Sequence, residues 1–128
     1  MSALRDRARH RPSTLWALVL PPAVWAGHFL FCYVFAAIHC AKAGPLAPLG
    51  AVRGAILVAT AAALGAVLAA GGVAWARTRI PGDPPPHDES TDEDRARFLA
   101  TSTLLLAALS FVAIMFTAIP ALMFEDCR

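Results

Sequence analysis

The residues best suited to bond formation or metal ligation in this 128-residue chain are its three cysteines and four histidines. Cys40 ends the first of three long apolar stretches, and Cys127 follows the third. Two thiols at one membrane face in an oxidising compartment close into a disulfide, provided their Cα atoms come within about 7 Å. Such a bridge would lock the first apolar stretch to the third. Two unpaired surface thiols, or two thiols that meet a copper ion transiently, are the alternatives. The other candidates lie on the first stretch, where Trp25, His28, Cys32, Phe35 and His39 share a helix face roughly 80° wide. His28 and Cys32, one turn apart, can reach a single ion. Two ligands do not close a zinc or copper site. His28 and His39 are about 16 Å apart along one helix, so they are not the two axial ligands of one haem. A haem held by one copy would need Met115 or Met123 opposite His28. The simpler reading has His28 bonded to a neighbouring carbonyl or a partner subunit, Cys32 as a small apolar filler and His39 at the water interface. No C-x-x-C pair is present to support thiol oxidoreductase chemistry.

The elements that must position these residues are unusually plain. Hydrophobic residues make up 58% of the chain, and they come in uninterrupted blocks: Leu15–Ala41, Ala51–Ala76 and Phe98–Phe124. Each exceeds the ~20 residues a helix needs to cross a bilayer. The first is too long for the core of a removable signal peptide, and His39 stands where lipoprotein processing at Cys40 would need a small residue. With net charge +2, the chain has no basic surface for nucleic acid. No Asp, Glu, Lys or Arg lies deep in a span. Arg53 is near the outer end of the second and can snorkel. Ionisable groups within the membrane mark ion paths and proton relays, so their absence argues against a transporter, channel or proton carrier acting alone, and it leaves no buried acid–base pair.

Loop cations set orientation. Arg5, Arg7, Arg9 and Arg11 in the tail and Arg77, Arg79, Arg95 and Arg97 in the second connection stand against Lys42, Arg53 and Arg128. The expected fold is therefore an all-α, multi-pass membrane protein of three transmembrane helices, N-terminus cytoplasmic and C-terminus outside, in a bacterial inner membrane. A basic tail over 1–12 leads to a first span over 13–41, kinked at Pro21-Pro22 or starting there. A short outer loop over 42–50 makes the first two spans antiparallel neighbours. The second span, 51–76, carries small residues every four positions (Ala61, Gly65, Ala69), a spacing that lets helices approach closely in lipid. This span is expected to be the packing centre, with Thr60 its one side chain capable of chemistry. A Pro- and acid-rich linker over 77–97 contains Ser90-x-x-Glu93, a capping-box pattern that starts the third helix. The third span covers 98–124 and bends or ends near Pro120, leaving an outer tail over 125–128.

The string Trp25-Ala26-Gly27-His28-Phe29, with Tyr33, Cys40-Ala41-Lys42, Arg97-Phe98-Leu99-Ala100 and Cys127, resembles small three-span proteins found among bacterial haem-copper cytochrome oxidase genes. The resemblance implies an accessory subunit or assembly helper of a terminal oxidase, and it carries over His28, Cys40 and Cys127 as important positions without assigning them roles. The expectation is a non-catalytic membrane protein whose partners are the bilayer and other membrane subunits, with no resident cofactor. The alternative is a metal- or haem-handling protein using His28 and the outer cysteines.

Overall fold

The computed structural model describes residues 15–79 and 92–127, and 89% of them are helical, with no strand. The basic tail, the Pro84–Pro86 segment, Ser90 of the capping box and Arg128 lie outside the described residues. Three helices account for the described fold: α1 (Leu15–Ala43), α2 (Gly50–Thr78) and α3 (Asp92–Met123). All three are long and apolar enough to cross a membrane. At 1.5 Å per residue, α1 and α2, of 29 residues each, are about 43 Å long. That exceeds the ~30 Å hydrocarbon core, so their ends reach the headgroup layers.

α1 runs unbroken through Pro21 and Pro22. The helix thus begins before Pro21 rather than at it. The two prolines withdraw the N–H groups that would bond the Ala17 and Leu18 carbonyls, but the helix is held from both sides because Pro21 is fully buried against the bundle. α2 extends slightly beyond the expected 51–76 at both ends. α3 continues through Pro120, and its first turn carries Asp92, Glu93 and Asp94, which oppose the positive end of the helix dipole.

α1 ends in a left-handed glycine, Gly44 at φ 89°, whose N–H bonds the Cys40 carbonyl at 3.1 Å. A residue with a Cβ is disfavoured in that conformation, so glycine makes the sharp reversal into α2. The tail after α3 folds back over this turn. Leu49 N–H donates to the Glu125 carbonyl at 3.3 Å, and Pro48 bridges Asp126. α1 and α3 therefore run parallel, with α2 antiparallel between them in sequence.

The core is narrow and made largely of small residues. Ile114 and Val67 are its largest fully enclosed side chains, with Ala63 and Ala107 beside them and Val24, Leu64 and Phe111 around them. A second cluster joins Cys32, Val52 and Ile56 nearer the α1–α2 turn. The inward stripe of α2 is Val52, Ile56, Thr60, Ala63, Val67, Gly71 and Ala74. The expected packing stripe, Ala61, Gly65 and Ala69, instead faces outward. Close approach occurs at Gly71, where an added Cβ would stand 3.4 Å from the Cβ of Ala107, whereas Gly65 meets open space. Gly71→Leu should therefore force α2 and α3 apart and cost about 1–3 kcal/mol, read as a lower melting temperature in detergent. Gly65→Leu should leave the melt nearly unchanged.

Candidate functional site

Between α1 and α2, Cys32 and Ala36 pack in one cluster with Val52 and Ile56, and one turn deeper His28 meets Thr60. His28, Cys32 and Thr60 are all at least nine-tenths buried. The Thr60 hydroxyl donates its single proton to the Ile56 carbonyl at 2.7 Å. Its oxygen is therefore the acceptor in the 2.9 Å contact with His28 Nε2, and the imidazole carries its proton on Nε2. The sulfur of Cys32 lies 3.4 Å from the same nitrogen and serves as a second, weaker acceptor. His28 Nδ1 is buried without a partner. In this tautomer it is a bare lone pair.

This arrangement bears on metal and haem chemistry. A metal bound at Nε2 would break the bond to Thr60 and move the imidazole proton to Nδ1. Metal-ligating histidines normally give that second N–H to an acceptor, and none faces Nδ1 here. Among the described residues no group of three or more His, Cys, Asp or Glu converges. His39 does not join the cluster. It sits near the Ala43 end of α1, half-buried, with its own Nε2 enclosed and unpartnered. Met115 and Met123 are exposed, so neither lies opposite His28.

The expected bridge between Cys40 and Cys127 is present. Cys40 and Cys127 form a disulfide with Cα atoms 5.6 Å apart, while Cys32 is a free, buried thiol. The bridge ties the end of α1 to the segment just past α3, across 87 residues of sequence. Beside it, Arg53 reaches across to the end of α3. Its Nε donates to the Ala121 carbonyl and its Nη2 to the Phe124 carbonyl, both at 2.8 Å. These carbonyls lie at the C-terminal end of α3, where intrahelical donors run out and the dipole favours a cation.

Two partners escaped the sequence reading. Thr60 was visible as the one chemically capable side chain of the second span, but its pairing with His28 depends on the register set by the short turn. Arg53 gave no local sign that it would cap another helix. No known protein family matches the chain, nor does any curated protein or any solved structure.

The His28–Thr60 pair predicts a coupled response. Thr60→Val leaves the imidazole N–H with only the weaker Cys32 sulfur as acceptor and should lower bundle stability by about 0.5–2 kcal/mol. The double variant His28→Phe with Thr60→Val should recover much of that loss, because no orphaned donor remains. A double-mutant cycle from unfolding in detergent measures the coupling. Cys40 and Cys127 should resist alkylation until a reductant is added, and mass spectrometry of labelled protein checks this.

Proposed function

We propose that the chain is a non-catalytic small subunit or assembly partner of a larger membrane complex, a respiratory terminal oxidase of a bacterial inner membrane. It inserts with its N-terminal end and the 79–92 connection in the cytoplasm. Tyr33 carries this reading. It is 66% exposed, ten residues before the end of α1, and so about 15 Å along the helix from that end. Side chains on a helix lean toward its N-terminus, and the Tyr33 ring stacks on Phe29, one turn deeper, at 6.3 Å. The hydroxyl is thereby held inside the hydrocarbon layer, where an unsatisfied polar group is costly, and it has no hydrogen-bond partner among the described residues. A helix of another subunit supplying an acceptor would remove that cost. Phe29 and Trp25 continue the same outward row, with ring centroids 6.4 Å apart.

The choice of complex draws on the same stretch of α1, since Trp25, Phe29 and Tyr33 belong to the string that resembles proteins of oxidase gene clusters. The orientation draws on the crowding of arginines in the tail and second connection. The disulfide agrees with it, because that end then lies in an oxidising compartment. A non-catalytic role draws on the burial of the polar cluster. His28, Cys32 and Thr60 are each no more than 7% exposed, and they bond one another.

A second reading, metal or haem handling at His28, is favoured by the unpartnered Nδ1 lone pair on a ring whose Nε2–H is held by Thr60. A Soret band, or copper or iron in stoichiometric amount in the purified protein, would establish it.

Affinity purification in mild detergent tests the main reading. The wild-type chain should bring down oxidase subunits, and Tyr33→Phe should lower their recovery about fivefold, the size of one hydrogen bond between helices in lipid, without changing the melt of the bundle. Recovery of the wild type only as a free monomer or homo-oligomer would overturn it.

A further inference from the structure

His39 and Lys42 serve neither the polar cluster nor the disulfide end, and the surface they share has a definite chemistry. Phe31, Phe35, Ile38 and Lys42 follow one flank of α1 at helical spacing, beside the inward face that carries His28 and Cys32. Phe31 and Phe35 lie nearly parallel, with ring centroids 5.4 Å apart and an interplanar angle of 11°, and both are open to the surroundings. Where this aromatic row reaches the end of α1, a cavity of about 300 Å³ opens, lined by Phe35, Ile38, His39, Lys42 and Ala43. The Nε2 atom of His39 is enclosed and has no hydrogen-bond partner. Lys42, in the last turn of α1, makes no ion pair among the described residues. Arg53, the other cation at this end among the described residues, is committed to the α3 carbonyls.

From this we infer that the α1 flank is a binding site for one anionic phospholipid. The headgroup phosphate takes the Lys42 ammonium at the mouth of the cavity, and an acyl chain lies along Phe35 and Phe31. Depth carries the assignment. Lys42 and His39 stand at the level where a helix this long leaves the hydrocarbon core, and the aromatic row descends from them into it. A free anion would meet only the polar end. A purely apolar ligand would leave the Lys42 cation unpaired. A lipid satisfies both ends, and an acidic headgroup near a lysine is the favoured neighbour. The inference does not depend on which complex the protein joins.

The test reconstitutes the full chain in nanodiscs made from equal parts phosphatidylglycerol and phosphatidylcholine. The lipids that stay bound after transfer to detergent are then identified by native mass spectrometry. The wild type should retain phosphatidylglycerol over phosphatidylcholine by about fivefold, the factor expected of one cation beside an acidic headgroup. Lys42→Gln, an exposed change that leaves the bundle intact, should abolish the preference. Phe31→Ala with Phe35→Ala should reduce retention of both lipids. Equal retention of the two lipids by the wild type would overturn the inference, as would an unchanged preference in Lys42→Gln. So would displacement of the bound lipid by inorganic phosphate, which would mark the site as one for a free anion.

Discussion

A hydrocarbon solvent offers no hydrogen bonds, so each donor within the bundle must find its acceptor in the protein. The contact in which this weighs most is His28 to Thr60, because it joins two helices rather than closing within one. Two threonine hydroxyls of α3 are satisfied locally. Thr103 donates to Leu99 and Thr117 to Ala113, each one turn back along its own helix. Thr60 does the same with Ile56, and only its remaining lone pair is left for the imidazole. Sliding α1 by one turn against α2 would take the His28 N–H away from Thr60 and leave it only the weak Cys32 sulfur. The hydrogen bond thus selects one register from several that apolar packing alone would tolerate.

The two ends of the bundle are secured unequally. At the Ala43 end, three attachments of different chemistry converge: the Cys40–Cys127 disulfide, the Arg53 guanidinium on α3, and the backbone contacts between the turn and the tail. Each joins elements distant in sequence, so together they hold α1, α2 and α3 in a fixed arrangement. Deeper in the bundle, contact between α2 and α3 relies on alanines and Gly71. Small side chains bring backbones close and gain dispersion contact where no hydrophobic driving force acts between helices.

α1 is anchored at the disulfide end, at His28 and at Pro21, and is otherwise the helix least enclosed by its neighbours. Of its residues only Pro21, His28 and Cys32 are buried. Its two open flanks differ in character. One carries Trp25, Phe29 and Tyr33, with a hydroxyl that needs an acceptor. The other carries Phe31 and Phe35 and ends in a cation at the membrane surface. The bulky aromatic side chains of α1 thus face outward, while its buried polar side chains, His28 and Cys32, face α2.

The spans, their number and their order follow from the sequence alone, because the length and apolarity of a segment determine whether it leaves water. Proximity of Cys40 to Cys127 was legible for the same reason, since three alternating crossings put both at one face. The inward faces were not. In a water-soluble helix the polar side marks solvent and the apolar side marks the core. Here lipid is as apolar as the interior, so the choice of Gly71 over the Ala61–Gly65–Ala69 stripe, the pairing of His28 with Thr60, the separation of His39 from that pair and the turn of Arg53 toward α3 were decided only when three helices packed. Hydropathy cannot rank faces that gain nothing from leaving their solvent. Shape, hydrogen bonding and the covalent link between Cys40 and Cys127 do, and those act between residues far apart in the chain.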